Sequence, residues 1–549
     1  MKRIAVIGIL LSSLIWAEGL VITGKVFDAH GEVVSEAKVK LTLCGEELAE
    51  AESNSDGGYT LKVERERFSD GLNLEIEKPC FSKGIYPINL QEVCKKGDSY
   101  YLYQEKTLSR KISPGFWIAL AILIVAYIFI AFDLVHRTQA AFLGASLMLF
   151  VSYTLGQFNS DFFILSFERA VSAIDFNVIF LLMGMMIIVG VMKETGVFQW
   201  IAYKSYSLAK GNVWVLAVIL MWVTAITSAF LDNVTTMLLL TPVTIEIALV
   251  LGLSPIVLLI PEVFASNVGG TATLIGDPPN IMIGSFSHLT FNQFLMNLTP
   301  VIIVVMFALT FMVKFFYGKD YEKAKVENMP ELLARLRAEY KITDMKLLKY
   351  SLFILVFVIS LFIIHGKLHM EPSIAAMIGA SVLLLLSKVN IPKIIEEVEW
   401  LTLVFFMMLF IVVGGVEETG FIQMIASGIK SFSGGNLTAT ILLILWVSAI
   451  MSAIIDNIPF TATMLPIVAY LTKEICPESN ILWWALALGA CLGGNGTLIG
   501  ASANIVTAGL SEKAGHPISF LEFTKKGAPI TLVIIIICSI YLLVFASRF

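Results

Sequence analysis

Gly269-Gly270-Thr271-Ala272-Thr273-Leu274-Ile275-Gly276-Asp277-Pro278-Pro279-Asn280 interrupts an apolar segment running from 255 to 283. Gly493-Gly494-Asn495-Gly496-Thr497-Leu498-Ile499-Gly500-Ala501-Ser502-Ala503-Asn504 interrupts another, from 482 to 508. The two stretches lie 224 residues apart (504 minus 280). The same offset carries Glu194-Thr195-Gly196 onto Glu418-Thr419-Gly420, Ser228 onto Ser452, Asp232-Asn233 onto Asp456-Asn457, and Pro242 onto Pro466. Apolar segments coincide by chance on Leu and Ile. They do not coincide by chance on Asp, Asn, Thr, Pro and Gly along an ungapped stretch, so the chain carries an internal duplication.

The solvent of the duplicated part is lipid. Of 549 residues 57% are hydrophobic and 15% charged, against about 25% charged in a soluble domain. Apolar segments recur at 116–134, 140–155, 176–195, 213–251, 255–283 and 294–316 in the first half. The second half has them at 351–365, 374–386, 401–417, 437–471, 482–508 and 528–546. Most approach the roughly 17 to 25 residues that a ~30 Å hydrocarbon core requires. Segments 213–251 and 437–471 are too long for one span and are interrupted by Asp-Asn, so they read as re-entrant hairpins. Segments 255–283 and 482–508 read as broken spanning helices. The expected fold is a mostly α, polytopic membrane protein of two repeats (115–317 and 351–549), each with about five spans and one hairpin. An odd number of crossings inverts the second repeat relative to the first.

Orientation follows from charge. The loop 318–350 holds Lys319, Lys323, Lys325, Arg335, Arg337, Lys341, Lys346 and Lys349, which places it in the cytoplasm. At the N-terminus, Lys2 and Arg3 precede a short apolar run and then Ala17, the order of a signal peptide over residues 1–17 or of an uncleaved anchor. Residues 20–108 are different in kind: 21–28, 37–43 and 59–63 alternate like strands, with turns at Gly31 and at Asp56-Gly57-Gly58. They are expected to form a small all-β sandwich outside the cytoplasm. Cys44, Cys80 and Cys94 fall in this part, where one disulfide among them is compatible with export; spacing does not choose the pair.

Interrupted apolar segments at corresponding places in two repeats point to a transport site. Lipid leaves no backbone group unpaired without cost, so a break at mid-membrane needs ligands for its freed groups. Carbonyls suit a cation, and half-helix N-termini offer N–H groups and a positive dipole end. The candidate substrate and ion ligands are Asp232, Asn233, Thr235, Thr236, Gly269, Gly270, Thr271, Thr273, Gly276, Asp277 and Asn280. In the second repeat they are Asp456, Asn457, Thr461, Gly493, Gly494, Asn495, Thr497, Gly500 and Asn504. Asp232 and Asp456 at the hairpin tips also suit helix caps, and Asp277-Pro278-Pro279 also suits a turn. Glu262 is a candidate proton site, since an ionisable group within a span is rare and usually functional. There is no basic stripe for nucleic acid, no His/Cys metal cluster, no P-loop and no nucleophile elbow. Neither an enzyme nor a resident cofactor is expected; the coupling ion is Na+ or H+.

Residues 228–245 (SAFLDNVTTMLLLTPVTI) and 264–285 (FASNVGGTATLIGDPPNIMIGS) resemble the ion transporter superfamily. The resemblance is strongest to its arsenite-permease and melanosomal P-protein branch, which shares a citrate-transporter-like domain. Residues 21–63 resemble the transthyretin-like, carboxypeptidase-regulatory β-sandwich. The first resemblance implies two opposed hairpins in a moving domain, elevator-type alternating access, a homodimer, and multi-pass insertion in the inner membrane. Its dicarboxylate/sodium members carry Ser-Asn-Thr at the tips, where this chain has Asp232-Asn233-Val234 and Asp456-Asn457-Ile458. A fixed anion there repels carboxylates; in this the tips resemble those of the superfamily's sodium/proton antiporters and arsenite permeases, which implies small-ion exchange. A citrate-type anion symporter is the alternative within the class. A sensor using the β-domain is the alternative outside it.

Overall fold

The computed structural model describes residues 19–29, 31–64, 71–96, 99–132, 134–322 and 340–546. The expected leader, 1–17, and the middle of the basic loop lie outside these residues. The chain divides into two compact units: the described residues up to 120 together with 148–166 and 418–420, and the remainder.

The first unit is built on a sandwich of two four-stranded sheets, ordered β4-β1-β8-β7 and β3-β2-β5-β6. Its strands are β1 Gly19–Asp28, β2 Lys38–Leu43, β3 Glu46–Glu52, β4 Gly58–Glu64, β5 Leu72–Glu77, β6 Gly84–Pro87, β7 Cys94–Lys96 and β8 Ser99–Leu108. Alternate residues turn inward, as a period of two requires: Leu20, Ile22 and Val26 of β1 meet Val39, Leu41, Leu61, Leu74 and Ile76 in one core. Gly24 sits where β1 runs parallel to β8; a Cβ there would fall 1.8 Å from the Gln104 carbonyl oxygen. None of the three cysteines is paired. Cys80 is turned into the interior, where its Sγ donates to the Phe163 carbonyl at 3.7 Å and lies 3.7 Å from Ser113 Oγ. Burial pushes that thiol above its ordinary range.

The second unit is helical. The described residues contain ten helices long and apolar enough to cross a membrane, with shorter apolar helices at Ile256–Gly270, Pro372–Ser387 and Ile481–Gly496. The first repeat runs α1 Pro114–Ala131, α2 Arg137–Tyr153, α3 Phe176–Lys193, α4 Val197–Ala209, α5 Val213–Phe230, α6 Asn233–Val250, α7 Ile256–Gly270, α8 Pro278–Ser287 and α9 Phe291–Tyr321. The second runs α10 Met345–Leu368, α11 Pro372–Ser387, α12 Trp400–Glu418, α13 Phe421–Ser433, α14 Leu437–Ile454, α15 Asn457–Ile475, α16 Ile481–Gly493, α17 Ser502–Lys513 and α18 Phe520–Val544. Helix for helix, the order is duplicated. Both long interrupted segments fold as helix pairs (α5–α6, α14–α15), and both glycine-broken segments as half-helices (α7–α8, α16–α17). The arms of the first pair have 18 residues each, about 27 Å at 1.5 Å per residue, so either is long enough to cross on its own.

The two Glu-Thr-Gly sequences end α3 and α12, and each is bound by the segment leading into the other repeat. Thr343, just before α10, donates its N–H to the Thr195 carbonyl and its hydroxyl to the Glu194 carbonyl. Arg110, just before α1, donates to the Glu418 carbonyl at 2.9 Å. Its guanidinium also covers the Phe81 ring and lies near the Asp28 carboxylate. Lys393 and Lys78 pair with the carboxylates of Glu194 and Glu418.

Candidate functional site

Each hairpin turns on its aspartate. Asp232 is the N-cap of α6 and accepts the Thr235 N–H at 2.9 Å; Asp456 is the N-cap of α15 and accepts the Ile458 N–H at 3.3 Å. Short polar side chains start helices by satisfying N–H groups that have no partner within the helix. A capping carboxylate keeps further lone pairs, so capping by itself does not use up either aspartate. Asp277 differs. It stands at the N-cap position of α8 but makes no side-chain cap bond. Its carboxylate is fully buried and accepts instead from Asn457 Nδ2 of the opposite tip, at 3.2 Å. The turn reading therefore accounts for the two prolines and not for the charge.

The glycines of the breaks bring backbone against backbone. A Cβ on Gly269 would fall 2.1 Å from the Ala225 carbonyl oxygen of α5; one on its repeat mate Gly493, 2.5 Å from that of Ala449 in α14. Gly270 and Gly276 face each other across the first break, and Gly494 and Gly500 across the second. Part of the freed backbone is satisfied internally. Asn280 Nδ2 donates to the Thr271 and Thr273 carbonyls, and Asn504 Nδ2 to those of Gly494 and Thr497. Thr273 and Thr497 tie the breaks to the hairpins through the Ala229 and Ala453 carbonyls. Thr271 and Thr461 bond back to the carbonyls of Asn267 and Asn457, four residues earlier. The buried Thr236 hydroxyl has no hydrogen-bond partner among the described residues.

A chain of buried amides joins the repeats. Asn233 Nδ2 donates to Asn267 Oδ1 (3.1 Å), and Asn267 Nδ2 donates to both Asn495 Oδ1 (2.8 Å) and Asn504 Oδ1 (2.9 Å). Asn267 was not among the expected ligands. Its position in the second repeat is Cys491, whose Sγ donates to Asn280 Oδ1 at 3.5 Å. The pseudo-symmetric contact is thus kept while its chemistry changes, and matching by residue identity passes over it.

The breaks are electrostatically unequal. Pro278 and Pro279 open α8 without N–H groups, and Asp277 adds a carboxylate. At the same places α17 has Ser502 and Ala503, with neutral Ala501 before them. The first break is therefore suited to a cation. Asp277 lies within electrostatic reach of both Asp232, which is half-buried, and Asp456, and neighbouring carboxylates need a proton or a cation to coexist. Arg137, at the start of α2, approaches from outside the breaks: Nη1 lies 3.2 Å from Asp456 Oδ2 and donates to Ser502 Oγ, and Nη2 donates to Thr402 Oγ1 at 3.1 Å. Glu399, before α12, lies within reach of Arg137 and Asp232. Arg137, Ser502 and Glu399 were likewise not among the expected ligands. Glu262 lies apart, fully buried in α7, with Oε1 accepting from Thr224 of α5 at 2.9 Å and Oε2 unpaired among the described residues.

Residues 127–489 match the family model described as citrate transporter. Two uncharacterized transporters of Mycobacterium tuberculosis are 43% and 42% identical over 427 and 429 residues, covering 77% of this chain and 97% of theirs. The P protein of Homo sapiens is 37% identical over 506 residues, covering 78% of this chain and 59% of that protein. The crystal structure of the Alcanivorax borkumensis YdaH transporter superposes with a TM-score of 0.54 at 14% identity, over 75% of this chain and 99% of that one. At that identity the likeness concerns the fold.

Proposed function

The chain belongs to the citrate-transporter family of multi-pass membrane transporters, and from that premise we propose that it is a secondary active transporter that couples a small ion to Na+ or H+. The observation that carries this reading is the placement of Asp277 within electrostatic reach of both tip aspartates, Asp232 and Asp456, at two helix breaks laced together by asparagines. Neighbouring carboxylates can take a proton or a cation in alternation, which is what exchange requires. Loss of two N–H groups to Pro278-Pro279 supports cation binding at the first break over anion binding there. Sodium/proton or arsenite-type exchange fits this better than citrate symport. Elevator-type movement of the hairpin-bearing elements, a homodimer, residence in the inner membrane and a separate proton site at Glu262 complete the proposal.

The test is flux in proteoliposomes holding the full chain, with a sodium or proton gradient imposed. Uptake that follows either gradient supports the reading, and absence of any sodium- or proton-dependent flux overturns it. Orientation is tested in intact cells. With Cys44 and Cys94 replaced by serine, a membrane-impermeant maleimide is expected to label Asn54→Cys, and to label Glu322→Cys only after permeabilisation. Equal labelling of both in intact cells would refute an extracytoplasmic β-domain and a cytoplasmic central loop.

A further inference from the structure

The duplication predicts two equivalent cation positions, one beside each tip aspartate. The structure fills only one of them with a side chain. Asp456 is 4% exposed and accepts from Ser502 Oγ at 2.7 Å, from the Ile458 N–H at 3.3 Å and from Arg137 Nη1 at 3.2 Å. The guanidinium is fixed in turn by Ser502, by Thr402 and by the face of Phe405, 5.4 Å from the ring centroid. At the first tip, Asp232 accepts the Thr235 N–H, and no basic side chain pairs with it among the described residues. The repeat mate of Ser502 is Pro278, which has no hydroxyl to offer. An arginine stays protonated under all physiological conditions, so the charge it brings to Asp456 is permanent.

We propose that Arg137 is a tethered cation that stands in for the second coupling ion, so that the protein binds one sodium ion, beside Asp232, where its symmetry would otherwise provide for two. This rests on the cation-coupled reading above and specifies it. Three considerations support it. A guanidinium within hydrogen-bond distance of a buried carboxylate neutralises it as a bound ion would. Its other contacts, to Thr402 and Phe405 of α12, hold the head group in place whether or not an ion arrives. The carboxylate at Glu399, within reach of both Arg137 and Asp232, leaves the region around the first tip acidic even with Arg137 present.

Binding of radioactive sodium to the purified full-length protein, read as ions per chain, tests the proposal. Wild type and Arg137→Lys are expected to bind one. Arg137→Gln, which exposes Asp456 to solvent cations, is expected to bind two. Asp456→Asn is expected to stay at one, whereas Asp232→Asn falls to none. A merely structural ion pair would lower stability in Arg137→Gln without changing the count. The proposal is overturned if wild type binds two, or if folded Arg137→Gln still binds one. Should Arg137→Gln not fold, loss of the single ion in Asp456→Asn overturns it. If wild type binds no sodium, sodium coupling fails and this inference with it, while proton coupling is decided by the flux assay.

Discussion

Asp277→Asn is expected to lower sodium- or proton-driven transport by about 10- to 150-fold and to leave insertion and folding close to wild type. The magnitude is that of one lost interaction with a charged group, about 1.5–3 kcal/mol, at about 1.4 kcal/mol per factor of ten. The structural argument is that the partners of Asp277, the Asn457 amide and the Cys491 thiol, are ones that a neutral side chain of the same shape also satisfies. Asp277 makes no cap bond, and the amide of Asn457 that it accepts is accepted equally well by the oxygen of an asparagine. Size and hydrogen bonding survive, and only the negative charge goes. Asp232→Asn is expected to behave alike, because a neutral amide caps α6 as well as a carboxylate does. Initial rates in proteoliposomes, normalised to reconstituted protein, check this. Wild-type rates and ion dependence in both variants would reduce the aspartates to structural roles.

Gly269→Ala and Gly493→Ala are expected to act earlier, on assembly itself. The added methyl group would stand 2.1 Å from the Ala225 carbonyl oxygen and 2.4 Å from its Cα in the first case, and 2.5 and 2.6 Å from the same atoms of Ala449 in the second. These are backbone atoms of a packed helix and have no rotamer to change. The half-helix must move away from the hairpin, which breaks the Thr273 or Thr497 tie to it. Overpacking costs about 1–3 kcal/mol where side chains can shift, and more is expected here. Both variants should lose most folded protein in detergent, seen as aggregation on size exclusion and a lowered melting temperature. Gly428→Ala and Gly509→Ala have open space around the new Cβ and should melt at or above the wild-type temperature, since alanine is favoured over glycine within a helix by about 0.5–1 kcal/mol. A monodisperse Gly269→Ala protein of wild-type stability would contradict the packing account.

Most of the architecture was open to reading because lipid leaves few choices. Segment lengths, two Asp-Asn interruptions and two glycine clusters mark where helices run, turn and break, and the constant offset pairs them. The strands of the β-domain showed through alternation at Leu20, Ile22 and Val26. Less of the site was visible, for reasons that differ by residue. Asn267 and Cys491 do the same job with different side chains, so a comparison built on shared identities skips both. Arg137 sits beside a polar stretch at the start of a span, where a basic residue ordinarily marks the cytoplasmic face; its partner is 319 positions along the chain. Gly269, Gly270, Gly493 and Gly494 are expected from the sequence as ion ligands, and the pattern does not show that neighbouring backbone packs directly against each of them.

The crossed binding of the two Glu-Thr-Gly sequences bears on how such a chain is made and divided. When the ribosome has finished the first repeat, Glu194-Thr195-Gly196 still lacks Thr343, and Arg110 still lacks Glu418. Neither half completes its own ends; each is closed by the other. A gene split within codons 323–339 would therefore encode two polypeptides that each hold what the other needs. Separate synthesis should leave each half unstable and quickly degraded, and joint synthesis should restore a complex that purifies together through a tag on either half. A duplication of this kind converts what would be contacts between two subunits into contacts within one chain, and the cut would reverse that history in a single step.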